Sequence, residues 1–171
     1  MAELNRLSAD EFKTANKTPV TIILDNVRSM HNVGSVFRTA DAFLMEQIFL
    51  CGFTPQPPHR DINKTALGAT ETVSWFYAKD IVELVMKMKL ENYRIFAVEQ
   101  VENSMSLEVF SPLPDQKLVL IFGNEVDGVN SEVLKLCEGF LEIPQSGSKH
   151  SLNISVAAGI VLWELFKKLK S

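Results

Sequence analysis

Apolar residues recur along this chain in two rhythms that take turns. Val20 to Leu24 and Leu118 to Phe122 are short, nearly continuous apolar runs, as expected of strands covered on both faces. Gln47 to Phe53, Val73 to Ala78, Arg94 to Val98 and Phe140 to Ile143 predict further strands. Between them the spacing changes to i, i+3, i+4. Val33, Val36, Phe37, Ala40 and Phe43 or Leu44 make one stripe and predict a helix over Val33 to Phe43. Ile81, Leu84, Val85 and Met88 make another, behind a capping Asp80. Strands alternating with helices predict an α/β domain with a largely parallel sheet.

The polar positions set the breaks. Ser8-Ala9-Asp10-Glu11 has the form of a capping box, and Thr18-Pro19 closes the lead-in. Residues 1–18 are therefore expected to form an N-terminal extension with a short helix, and 19–171 the main domain. Asp25 to Asn32 reads as a polar loop. The prolines of 54–59 exclude regular structure there, and Ser111 to Pro114 marks a turn. Asn130 caps a short helix to Cys137, and Pro144 stops the last strand. Asn153 or Ser155 then caps a helix to about Leu169. Ile154, Ala157, Ala158, Val161, Leu162 and Leu165 form its inner face, yet Val156, Ile160, Trp163 and Phe166 lie on the other side. A helix apolar nearly all round is buried all round, and a second copy of the chain is the expected cover.

Composition narrows the class. The 171 residues suffice for one domain, and 46% hydrophobic with 22% charged residues is ordinary for a globular protein. A formal net charge of −4 excludes a generic polyanion binder, so any nucleic-acid contact must be local or lie in a dimer groove. Cys51 and Cys137 stand far apart, and His31, His59 and His150 have no metal spacing, so neither a disulfide framework nor a metal site is indicated. The N-terminus shows no apolar signal region, and no apolar run approaches membrane-spanning length. A cytoplasmic location without membrane attachment is the expectation.

Three segments after strands carry polar residues that a plain connection would not need: Asn26 to Arg38, Gly123 to Gly128, and Gln145 to Asn153. In parallel sheets ligands gather at the carboxyl ends of strands, so the three are expected to meet at one site. Arg38 is either a snorkelling helix residue or a cation aimed at a phosphate or a developing oxyanion. Glu125 is either a surface turn residue or an anchor between two glycines. There is no P-loop, and no GxGxxG follows the first strand.

Together these stretches resemble the SpoU (TrmH) family of RNA ribose methyltransferases, within the SPOUT superfamily. Asn32 to Ala40 (NVGSVFRTA) resembles the first family motif, Leu120 to Gly128 (LIFGNEVDG) the second, and Ile143-Pro144 with Ser151 to Ala158 (SLNISVAA) the third. Lys64 to Ala69 fits the pattern between the first two. Val126 stands where glycine is frequent, and Gln145 where methionine is.

The resemblance implies an α/β knot, with the C-terminal segment threaded into a trefoil, and a homodimer through that region. It implies S-adenosyl-L-methionine as cofactor, held near Ala97, Val98, Gly123, Ile143, Ser151 and Leu152. It makes Arg38 the catalytic arginine, with Asn32, Glu125 and Asn153 as its companions, and Asn153 either orients the reacting groups or caps the helix. RNA contacts are expected from Arg28, Arg60, Lys64 and Lys149. The implied reaction is methyl transfer to a ribose 2′-hydroxyl, with tRNA favoured over rRNA as substrate. A non-catalytic knotted dimer that only binds RNA or cofactor is the competing class.

Overall fold

The computed structural model describes residues 7–148 and 151–170. A capping box opens the first helix, α1 (Ala9–Thr14): Glu11 N–H donates to Ser8 Oγ, and Ser8 N–H donates to Glu11 Oε2. Its one buried side chain, Phe12, joins the core. Strand β1 (Thr18–Asp25) follows, then α2 (Met30–Ala42), β2 (Met45–Cys51), α3 (Arg60–Ala66), α4 (Ala69–Thr72) and β3 (Trp75–Ala78). The second half comprises α5 (Ile81–Leu90), β4 (Arg94–Val98), β5 (Met105–Ser106), β6 (Leu118–Phe122), α6 (Ser131–Leu134), β7 (Gly139–Glu142) and α7 (Ile154–Lys170).

The strands form one sheet in the order β3-β2-β1-β6-β4-β7-β5, with every neighbouring pair parallel. Burial alternates across it. Val20, Ile22 and Leu24 of β1 face a core built with α1, α2, α3, α4 and α7, whereas Ile23 faces the core under α5 and α6. Both faces being covered explains why β1 and β6 read as continuous apolar runs. Parallel pairing also sends all the strand ends to one edge, where the connections after β1, β2, β6, β4 and β7 gather.

α2 packs tightly on α3. A Cβ added at Gly34 would lie 2.1 Å from Thr65 Oγ1 and 2.3 Å from the Ile62 carbonyl oxygen. Thr65 Oγ1 donates to the His31 carbonyl oxygen at 2.9 Å, which fixes the first turn of α2. The glycine of the first motif therefore has a packing reason.

Several expectations are corrected. The helix α2 starts at Met30, so Asn32 lies in its first turn and not in a loop. Ser29 supplies the cap, its Oγ accepting from Asn32 N–H. The segment Asn26 to Arg38 is thus mostly helical. The helices α3 and α4 and the short β5 were not anticipated. The helix after Asn130 ends at Leu134, and Phe53 lies beyond β2. Within one chain α7 is not buried all round: Val156, Ile160 and Trp163 are exposed, and Phe166 alone of that set packs on the core. No helix among the described residues is long and apolar enough to cross a membrane.

Candidate functional site

A cleft opens at the carboxyl edge of the sheet, where the ends of β4 and β6 meet the start of α7. Two local constructions shape it. The loop after β6 closes on itself through Asn124 N–H to Gly128 O (3.2 Å) and Gly128 N–H to Asn124 O (3.1 Å). Asn124 Oδ1 accepts from the N–H groups of Val126 and Asp127, both at 2.8 Å, an Asx turn that points Glu125 outward. On the other side, Asn153 Oδ1 accepts from Ser155 N–H (2.9 Å) and Ser155 Oγ (2.7 Å), capping α7. Helix capping is therefore one role of Asn153.

Between these lies a cavity of about 710 Å³, with Val98, Gly123, Glu125, Ser151, Leu152 and Asn153 on its walls. A smaller hollow of about 110 Å³ shares Val98, Ser151 and Leu152 and adds Ile143. The second and third motif loops thus share one cleft. The first motif joins, among the described residues, through one side-chain hydrogen bond: Asn32 Nδ2 donates to Glu125 Oε1 at 3.0 Å. Glu125 is exposed and Asn32 half-buried, so this bond braces the first turn of α2 against the second-motif loop more than it stabilises the fold.

Other expected residues fall elsewhere. Ala97 is wholly buried in the core under α5 and α6, leaving Val98, one residue on, to reach the cavity. Arg38 is six residues beyond Asn32 on α2, which turns it ~120° around the helix and moves it ~9 Å along. It lines a separate cavity of about 730 Å³ with Phe12, Asp41, Gly68 and Thr72. Its side chain has no hydrogen bond or ion pair among the described residues. Arg28 and Arg60 are exposed, and Lys64 is exposed and paired with Asp61 at 2.8 Å. Lys149 lies outside the described residues.

Sequence reasoning missed two carboxylates that build the cleft. Glu99, after β4, accepts from Val129 N–H at 3.1 Å and so ties the β4 end to the second-motif loop. Asp25, 1% exposed, accepts from Asn130 N–H (2.8 Å) and Asn26 Nδ2 (3.0 Å). Burial raises its carboxyl above the ordinary value, against the lowering effect of both hydrogen bonds. A polar residue ending an apolar strand was the available signal for Asp25, and Glu99 had none. Burial pushes the Cys51 thiol up to about 12 and the Cys137 thiol up to about 11, so neither supplies a thiolate at neutral pH.

Comparison with known proteins gives a consistent result. Residues 19–163 match the SpoU rRNA Methylase family. A 23S rRNA (guanosine-2′-O-)-methyltransferase of Vibrio parahaemolyticus is 27% identical over 166 residues, covering 97% of this chain. The chain spans 66% of that relative's length. The AdoMet-bound rRNA methyltransferase from Sinorhizobium meliloti superposes with a TM-score of 0.82 at 26% identity, covering 95% of this chain and 60% of that one. The TrmH/SpoU tRNA modifying enzyme of A. aeolicus shares the fold, with a TM-score of 0.84 at 23% identity, covering 95% of this chain and 81% of that one.

Proposed function

Because the chain belongs to the SpoU rRNA methylase family, we propose that it transfers a methyl group from S-adenosyl-L-methionine to a ribose 2′-hydroxyl of RNA. The observation that carries this reading is the Asn32–Glu125 bond, which brings the first motif onto the cleft shared by the other two.

The cleft suits the cofactor. Its volume of about 710 Å³ is that of a small-molecule pocket, and Val98, Phe122, Leu152 and Ala157 give it apolar walls for a purine. The loop backbone supplies polar groups, and Glu99 and Glu125 place negative charge where a sulfonium is best accommodated. S-adenosylmethionine, when bound, supplies an electrophilic methyl group. Asn32 and Glu125 brace the loops, Ser151 and Leu152 hold the cofactor, and Asn153 keeps the start of α7 in place beside it.

Arg38 provides charge, not basicity, since a guanidinium stays protonated below pH ~12. We assign it to pairing with a phosphate of the RNA and to stabilising the 2′-oxyanion as the hydroxyl proton is lost to water. In its own chain Arg38 stands apart from the cleft. A second copy, seated on the exposed Val156, Ile160 and Trp163 face of α7, is proposed to bring its Arg38 to the site. Arg28, Arg60 and Lys64 contribute phosphate contacts.

Single-turnover transfer tests the assignment. Arg38→Ala is expected to slow transfer ~10²–10³-fold while S-adenosylhomocysteine binds normally. Arg38→Lys recovers little, because a point charge does not reproduce the planar fork. Equal rates for wild type and Arg38→Ala would reduce Arg38 to a snorkelling helix residue. Mixed dimers of Arg38→Ala and Asn153→Ala chains are expected to transfer methyl groups, since one cleft then has an intact Asn153 and an intact partner arginine. Inactive mixed dimers would place Arg38 in its own chain's site.

A further inference from the structure

The ring of Phe53 is 85% exposed, although the turn that carries it is among the most heavily bonded in the molecule. Phe53 N–H donates to Asn26 Oδ1 at 2.9 Å, and Gly52 N–H donates to the Ala78 carbonyl oxygen at 3.1 Å. Tyr77 Oη donates to the Gly52 carbonyl oxygen at 3.3 Å. Thr54, 2% exposed, donates through Oγ1 to the Leu24 carbonyl oxygen (3.0 Å) and accepts from Val27 N–H (3.1 Å). Gly52 is left-handed at φ +59°, and a Cβ there would lie 2.2 Å from Asn26 Oδ1, so a side chain at this position is strained and displaces the acceptor of Phe53 N–H. A loose loop with an exposed aromatic is common, but this turn is held from both flanking strands and aims its ring at solvent.

The surroundings give the ring chemical company. β2 lies between β3 and β1, so the Phe53 turn sits between the connections that carry Lys79 and Arg28. Both cations are exposed, and neither side chain has a hydrogen bond or ion pair among the described residues. Tyr77, 45% exposed, reaches the same turn through its hydroxyl. Of the nearby carboxylates, Asp80 is engaged by Val82 and Glu83 N–H, and Asp25 is buried. Continuing across the sheet, β1 is followed by β6 and β4, whose ends form the cofactor cleft. Strand spacing of ~4.8 Å puts the turn two to three strands, roughly 10–14 Å, from that cleft along one edge.

We infer that Phe53, flanked by Arg28 and Lys79, is a stacking platform for an unpaired nucleotide of the RNA substrate, a short distance from the nucleotide being modified. The inference rests on the RNA-methyltransferase reading and adds where and in what form the RNA is held. Every base has a π-face, and cations on either side suit the phosphates that flank a stacked base. A preformed ring loses little freedom on binding. The platform selects single-stranded over duplex RNA, because paired bases hide their faces in the stack.

Fluorescence anisotropy with a labelled 12-nucleotide single-stranded RNA, and with a fully paired hairpin whose stem is closed by a non-nucleotide linker, tests this. Phe53→Ala is expected to weaken single-strand binding about tenfold. Hairpin affinity, S-adenosylhomocysteine affinity and melting temperature should stay at wild-type values, and Phe53→Trp should restore binding. The salt dependence should be unchanged in Phe53→Ala, whereas Arg28→Gln with Lys79→Gln should flatten its log–log slope by about 1.4. Equal loss for hairpin and single strand would overturn the platform. A changed assembly mass in Phe53→Ala would overturn it in favour of a contact between copies. If the wild type methylates RNA and Phe53→Ala binds equally well, the platform alone falls. If the wild type binds no RNA, the methyltransferase reading falls with it.

Discussion

Replacing Gly123 by alanine puts one methyl group where the second-motif loop has no room. The added carbon would lie 2.1 Å from the carbonyl carbon of Gly128 and 2.3 Å from both its oxygen and Val129 N. Ordinary carbon contacts are ~3.5–4.0 Å, so the overlap exceeds ~1 Å. All three atoms are backbone, and no rotamer change relieves the clash. Gly128 must move, yet it is pinned by its two bonds to Asn124 at 3.1 and 3.2 Å. Overpacking of this kind costs ~1–3 kcal/mol. At ~2–4 °C per kcal/mol for a chain of this size, melting should fall by ~2–12 °C. Opening the loop also displaces Glu125 from Asn32 and reshapes the cleft wall, so S-adenosylhomocysteine affinity should fall at least ~10-fold, or ~1.4 kcal/mol. Differential scanning fluorimetry and titration calorimetry read both quantities. Gly147→Ala, which meets nothing within 4 Å among the described residues, is the control and should match wild type. A Gly123→Ala protein with wild-type melting and wild-type affinity would refute the reasoning.

Three other outcomes follow from the same contacts. Asn32→Ala removes the 3.0 Å bond to Glu125 and should slow methyl transfer while unfolding free energy changes by less than ~1.5 kcal/mol; Glu125→Gln, which keeps the acceptor, should retain more activity than Glu125→Ala. The Asp25 carboxyl is raised in the folded state, so that state binds the proton more tightly than the unfolded chain does. Its contribution to stability is therefore greatest below the unfolded value near pH ~4 and declines as pH rises through the folded value, a slope that Asp25→Asn should remove in urea melts across that window. Ile160→Glu should halve the mass seen by light scattering, from twice 19.2 kDa to the single-chain value, without unfolding the chain, because Ile160 is exposed in one copy.

Much of the fold was legible because its central strands, β1 and β6, are buried on both faces. The limits of β4 and β6 agree with the apolar runs Arg94 to Val98 and Leu118 to Phe122. Asp80 and Asn130 cap the helices they were expected to cap, and of the two candidates Asn153 and Ser155 it is Asn153 that caps α7. The helix α3 escaped notice because it buries only Ile62 and Ala66, too few positions to show a period. β5 has two residues, below any pattern. The exposed side of α7 shows where periodicity misleads: Val156, Ile160 and Trp163 are as apolar as the covered face, yet they are exposed in one chain. Threading of a C-terminal knot leaves no trace in local pattern, and it is the family that implies it.

The cleft was legible in part. Gly123, Ser151 and Leu152 came from the family resemblance, and the structure places all three on one cavity. The distance between Arg38 and that cavity was not readable, since it depends on the phase of α2 about its axis. Residues such as Glu99, which act through a bond to a distant backbone N–H, leave no signal in a single sequence.

The central claim is tested most directly by the product. Purified protein should be incubated with methyl-labelled S-adenosylmethionine and, separately, with total tRNA and with ribosomal RNA from unmodified transcripts, followed by nucleoside mass spectrometry. The account predicts a 2′-O-methylated nucleoside in at least one pool, absent when Arg38→Ala replaces wild type over a single turnover. Label on a base, or no label in either pool while cofactor binds, would contradict it.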